Sequence, residues 1–509
     1  MKQMVKKLVV FLLVALLLSA VNSGSWTVFA DEVEKDLPTY EVKGGTLTYE
    51  VVDGAVTIIA ADVEFKGKLE IPATIENCPV TAIGEKAFYG CAKITAVMIP
   101  ASVIEIGSGA LGNCIHLTRI DVHDDNALFC DVDGVLYSED KTTLLRFPNM
   151  YGLASYTIPD GVTTVGGGAF LGSSYLRTVE FPDSVTTIGV NAFHFSSIEE
   201  IVLPPHLMVV EFGLFSGSAF LRKVVLPDGI TSIGTSAFGG CKKLTDVNIP
   251  DGVTAIGHSA FSGCQSLVDI TIPESVVSIG EECFADCSSL VEITLPDSVT
   301  TIGPRAFFFC SSLKTADLGD SLATIGVEAF AGCRELKTVS LPDTLAAIGE
   351  QAFHYCQSLT EIAIPAKTTR IESGAFSGCE SLTEIAIPEG VLSLKGDTFR
   401  NCFKLAKVTL PTSVKTVSEG AFFGCEELKN VYYGGSAREK SKIDVAKENG
   451  ELSSAQWHCA VEEEVQTVVK KDTEEEFVMP PWMKTALYIG VLVVAIVVFI
   501  LMFRNTSED

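Results

Sequence analysis

The chain of 509 residues contains fifteen cysteines, enough for metal, redox or disulfide chemistry, and their spacing decides among these. Eleven stand at one recurring position: Cys91, Cys114, Cys241, Cys264, Cys287, Cys310, Cys333, Cys356, Cys379, Cys402 and Cys425, each three residues after an apolar marker that is nearly always Phe. A zinc or iron–sulfur centre needs pairs at short spacing that converge on one point, whereas residues one repeat apart form a column whose side chains point the same way. A disulfide needs two Cβ atoms turned towards each other, and parallel vectors about 5 Å apart do not supply that. The remaining role is structural: a small buried side chain whose weak S–H donor turns inward to a backbone carbonyl and can be replaced by Ser. Ser173, Ser196 and Ser218 occupy the same position in three further units. Cys283 stands at a core position where Ala is usual, and Cys78, Cys130 and Cys459 lie outside the column. These last three are the better candidates for any disulfide.

The element that positions the column is a repeat. The marker residues are Phe88, Leu111, Phe170, Phe193, Phe215 and Phe238, followed by Phe261, Phe284, Phe307, Phe330, Phe353, Phe376, Phe399 and Phe422, and from Phe215 onward every step is 23 residues. Fourteen units therefore span residues 71–433, with an insertion at about 123–158, and a fixed period of this size is the signature of a solenoid. Within a unit, Leu267, Ile270 and Ile272 are spaced so that Ile270 and Ile272 point inward from a strand while Asp269 and Thr271 point out. Stacking predicts one continuous parallel sheet and a length of about 70 Å at ~4.8 Å per coil. Pro250, Pro273 and Pro296 follow the strand and end it by lacking a donor. Gly257, Gly280, Gly303, Gly326 and Gly349 fit a tight turn, with positive φ expected. No unit stands alone, because its six or seven apolar side chains contribute at most ~1.5–3 kcal/mol each against about 1–2 kcal/mol of backbone entropy per residue.

The unit from Ile272 to Pro296, IPESVVSIGEECFADCSSLVEITLP, closely resembles the BspA-like, or treponemal-type, leucine-rich repeats of bacterial and protozoan surface proteins. The resemblance extends over Gly44–Ile58 as part of an N-terminal cap (31–70) and over Val431–Ile443 as part of a C-terminal one (434–460). It implies a leucine-rich-repeat solenoid with a parallel sheet on one face, extracellular attachment to host proteins or other cells, no catalysis and no cofactor. The departures are Leu111 for the marker Phe, Gly319 for Pro, and Glu372, Lys395 and Ser418 for the turn Gly, so the last coils are expected to differ in shape.

The ends speak to location. Lys2, Lys6 and Lys7 precede an apolar run, and Val28-Phe29-Ala30 provides a signal-peptidase site, so residues 1–30 read as a signal peptide. Residues 485–503 form a 19-residue uncharged span, long enough for a transmembrane helix, leaving 504–509 as a cytoplasmic tail. Between them, 461–484 is acidic and aperiodic and reads as a stalk. A net charge of −27 argues against nucleic acid, which is bound through a basic footprint. The seven histidines share no repeat phase, and no phosphate-binding glycine loop or H-E-x-x-H motif is present, so no enzyme is expected.

The outward row before the first inward strand residue is mostly acidic: Glu200, Lys223, Asp246, Asp269, Glu292, Thr315, Thr338, Glu361, Glu384, Lys407. Asp246, Asp269, Thr271, Glu292, Thr294, Glu361 and Glu384 form the candidate binding face for an extracellular protein or cell-surface ligand, since a field of one sign speeds encounter with a basic partner. The competing reading of the same row is a charged face that keeps a large sheet soluble. At the level of function the alternatives are an adhesin and a structural surface spacer or self-associating coat component.

Overall fold

A computed structural model describes residues 37–460, so the signal segment, stalk and membrane span expected from the sequence lie outside the described residues. No helix among the described residues is long and apolar enough to cross a membrane.

The marker residues form the axis of the molecule. All fourteen are buried, and the phenylalanine rings from Phe170 to Phe422 stack at centroid separations of 4.9–5.6 Å. The column also contains a ring absent from the sequence count. Phe147 packs on Phe170 at 5.2 Å and its amide donates to the Ala169 carbonyl, the bond that Phe170 makes to Ala192. The coil frame therefore resumes at Phe147, inside the segment read as an insertion. Before it, Phe129–Val132, Val135–Ser138 and Thr143–Arg146 form an antiparallel meander.

Two parallel ladders flank this axis, and here the expectation of one continuous sheet needs correction. The outward-row strands break into short sheets: Glu200–Val202 pairs through Lys223–Val225 to Asp246–Val247, and Glu292–Thr294 through Thr315–Asp317 to Thr338–Ser340. A third group starts at Glu384–Ala386 and ends at Gln456–Cys459 in the C-terminal cap. At 269–272 and 361–364 no strand forms, and no amide there donates to a backbone carbonyl. The residue types match those of paired coils, and nothing in the structure explains the two gaps. The longer sheet lies elsewhere. Eight two-residue strands, from Val209–Val210 to Arg370–Ile371, pair in unbroken register at the position of Ser278–Ile279.

The turn glycines also differ from expectation. Gly257, Gly280, Gly303, Gly326 and Gly349 do not have positive φ. They permit close approach instead: a Cβ on Gly280 would lie 2.8 Å from the backbone of Gly257 in the preceding coil. Positive φ occurs two residues before and two residues after every marker, at all fourteen coils, whether the residue is Gly or not. This alternation aims three amides of each coil along the axis. In the Phe261 coil, Ser259, Phe261 and Gly263 donate to the carbonyls of Glu281, Cys283 and Ala285 at 2.7–2.8 Å.

At the C-terminal end the cap accepts these donors. Gly420 donates to the Lys447 carbonyl (3.2 Å), Phe422 to Asn449 Oδ1 (3.0 Å) and Gly424 to Glu451 Oε1 (2.9 Å). Asn449 is itself held by its Nδ2, which donates to the carbonyls of Ser418, Ala446 and Lys447. Among the late coils Glu372 and Ser418, standing for Gly, still donate to Ile348 and Leu394 as Gly349 does to Ile325, but Lys395 makes no such bond. The eight-strand ladder ends at Arg370–Ile371, while Ser393–Leu394 starts a separate sheet with Thr416–Val417 and Asp444–Val445.

Candidate functional site

The cysteine column lies in the core. Cys241, Cys264, Cys287, Cys310, Cys333, Cys356, Cys379, Cys402 and Cys425 are fully buried, and each Sγ donates to the marker carbonyl of the preceding coil at 3.1–3.3 Å. Cys114 does the same towards Phe88, and Ser218 Oγ substitutes with a 2.6 Å bond to Phe193. Loss of solvent around the thiol raises Cys287 and Cys425 from the ordinary 9.0 to about 12, and pushes Cys264, Cys310, Cys356 and Cys402 well above 9.0. Such thiols stay protonated at neutral pH and are poor nucleophiles or metal ligands. Among the described residues, no group of three or more His, Cys, Asp or Glu could hold a metal ion.

The acidic row lies at the surface, in the register that the repeat demands. Asp246, Asp269, Thr271, Glu292, Thr294, Glu361 and Glu384 are all exposed. The structure divides them by partner. Lys223 pairs with Asp246 and Lys407 with Glu384, both at 2.9 Å across adjacent strands. Asp269, Glu292 and Glu361 have no cationic partner within 4 Å among the described residues. A concavity of about 410 Å³ opens around the 361–364 gap, lined by Thr338, Glu361, Ala363, Glu384 and Lys407.

A second exposed feature escaped the sequence reading. Two residues after the marker, where eight of the fourteen coils have Gly, stand Phe195, Phe309 and Tyr355, with φ of 52°, 55° and 56°. A left-handed conformation costs a side chain about 1–2 kcal/mol relative to Gly. The rings are nonetheless 63%, 41% and 48% exposed. Each lies across the glycine at the same position of the next coil, where a Cβ on Gly217, Gly332 or Gly378 would come within 3.0 Å of the ring. The residue before each is also a ring: His194 and His354 sit 4.1 Å from Phe195 and Tyr355, and Phe308 sits 4.4 Å from Phe309. Burial lowers the pKa of both histidines, which favours neutral rings at physiological pH. The signal was available as three aromatic residues among the six departures from glycine at one position, but only the backbone angles give it meaning.

A family profile described as "BspA type Leucine rich repeat region (6 copies)" matches residues 62–129, 146–268, 231–360 and 346–442. The chain belongs to the BspA-type leucine-rich repeat family. The profile resumes at 146, next to the marker Phe147 that the ring column reveals. Among solved structures, this BspA-type chain is similar to a leucine-rich repeat protein from Bacteroides ovatus. That match has 26% identity and a TM-score of 0.58, and covers 83% of this chain and all of the other. It is also similar to a leucine-rich cell surface protein from Faecalibacterium prausnitzii, with 26% identity, 80% and 98% coverage and a TM-score of 0.43. No curated protein matches the chain.

Proposed function

We infer that this BspA-type protein is a non-enzymatic cell-surface scaffold that adheres to, or binds, an extracellular protein, held at the membrane by its C-terminal apolar span. The observation that carries the reading is the set of aromatic rings at left-handed positions. Phe195, Phe309 and Tyr355 keep apolar rings in water at a backbone position that favours glycine, and a spacer needing only solubility gains nothing from that arrangement. Aromatic residues, Phe included, are enriched at protein interfaces, and Tyr is enriched among binding hot spots. The unpaired acids Asp269, Glu292 and Glu361 supply a charged flank that would favour a basic partner.

The second reading, a surface spacer, is favoured by the ion pairs at Asp246 and Glu384, which neutralise part of the acidic row as a solubilising face would. The deciding experiment uses residues 31–477 against immobilised matrix proteins, glycans and the protein itself, at low and physiological salt. The adhesin reading expects saturable binding to one ligand, lost in the variant combining Phe195→Gly, Phe309→Gly and Tyr355→Gly. That variant should stay folded, because Gly is the usual residue there. Binding to nothing, or only to itself, would establish the spacer.

A further inference from the structure

The axial ladder of amides has one interior gap. In thirteen of the fourteen marker coils the three donors find acceptors, in the next coil or in the C-terminal cap. The exception is the coil of Leu111. The amides of Gly109, Leu111 and Asn113 have no acceptor among the described residues, although Gly109 and Asn113 have the same positive φ as elsewhere. The apolar core divides at this place, one part running from Leu47 to Val122 with Leu136 and the other from Val135 to Leu452.

A cavity of about 130 Å³ occupies the gap, larger than a single water needs. Gly109 and Leu111 line it on one side, and on the other stands Arg146, immediately before the marker Phe147, where eleven of the fourteen marker coils have Ala. Arg146 is 6% exposed. Its guanidinium donates to the Gly168 carbonyl (2.6 Å), the Leu171 carbonyl (3.0 Å) and Asn149 Oδ1 (2.7 Å), while Nε is buried without a partner. No carboxylate pairs with it among the described residues. An unpaired buried cation is among the costliest groups a fold can carry, and backbone amides left without acceptors beside it are donors that an anion can take. The remaining walls include Leu136, Leu145 and Phe129, and the exposed Ser108 and Gly167 mark the opening.

We propose that the cavity between the Leu111 and Phe147 coils is a binding site for a small carboxylate, whose oxygens take the free amides of Gly109 and Leu111 and the charge of Arg146. The apolar walls select a short-chain organic acid over a fully hydrated inorganic anion. The protein already uses this chemistry at its other ladder end, where the Glu451 carboxylate accepts the Gly424 amide.

The test is calorimetric titration of the purified full-length chain with acetate, propionate, succinate and inorganic phosphate at constant ionic strength in chloride. The wild type should bind an acid saturably, with a rise in its thermal midpoint. Arg146→Gln, which keeps an amide donor for the carbonyls but removes the charge, should weaken binding at least tenfold. Arg146→Ala restores the repeat's usual residue, so it should fold and also lose binding, with circular dichroism checking the fold of both variants. Absence of saturable binding, or equal binding by wild type and Arg146→Gln, would overturn the site. Arg146-dependent binding of phosphate alone would overturn the assignment to a carboxylate.

Discussion

The ladder of axial amides ends in two places, and the two are built differently. At the C-terminus, Asn449 and Glu451 supply oxygen acceptors to Phe422 and Gly424, and the array closes on itself. At Leu111 the same donors meet a cavity and a buried guanidinium. A coil in this fold always presents its donors along the axis, because the two left-handed positions around the marker are set by the turn rather than by the residue. Every end must therefore be met by acceptors, and the contrast between a met and an unmet end separates structural capping from a ligand site.

The largest effect expected is alkaline and belongs to the continuous interior. Folding raises the ladder thiols above their ordinary 9.0, so their contribution is fully present below pH 9 and is lost as pH rises through the folded values near 12. By pH 10 the loss is on the order of 1 kcal/mol for each thiol, multiplied by the coils that unfold together. Denaturant midpoints should be flat from pH 6 to 8 and fall steeply above pH 9; a flat profile to pH 11 would show that the column is not buried as described.

Next in size is the ring column. Phe261→Ala, in the middle of the stack, should cost about 3–5 kcal/mol in chemical denaturation. Leu111→Ala, beside an existing cavity, should fall at the low end of the ~2–5 kcal/mol expected for Leu→Ala. Equal costs would remove the distinction between interior and junction. At the met end, Asn449→Ala strips the acceptor from the Phe422 amide and should cost about 1–3 kcal/mol. Hydrogen exchange should then quicken in the coils from Phe399 onward, with those before Phe353 unchanged. Uniform loss of protection would mean that the array unfolds as one unit.

Much of this was legible in the sequence, and the limits have physical causes. The 23-residue spacing of Phe and Cys fixes the coil, its inward Ile and Leu and its outward row, because period-2 alternation and burial leave no other arrangement. The coil at Phe147 is hidden in the sequence because Arg146 replaces the Ala that precedes most markers, although the 23-residue step to Phe170 is there to be read. The role of Gly280 was misassigned because a glycine required by a neighbour's backbone and one required by φ look alike in sequence. The left-handed strain at Phe309 and the free amides at Leu111 are properties of backbone geometry, which residue types do not encode.

The smallest effect sharpens the contrast within the outward row, between its paired ends and its unpaired centre. Lys407 bonds Glu384 at 2.9 Å and lies 5.6 Å from the centre of the Tyr432 ring, with both partners of the ion pair about half exposed. Exposed cross-strand pairs are worth about 0.2–1 kcal/mol, so Lys407→Ala should lower stability by no more than that. Its effect on binding should be of the opposite sign. Freeing Glu384 extends the uncompensated run from Glu361 around the 410 Å³ concavity, and attraction of a basic partner should increase at low salt and vanish at high salt. If affinity at low salt is unchanged in Lys407→Ala and also in Glu361→Ser, the row serves solubility alone, and binding rests on the aromatic positions.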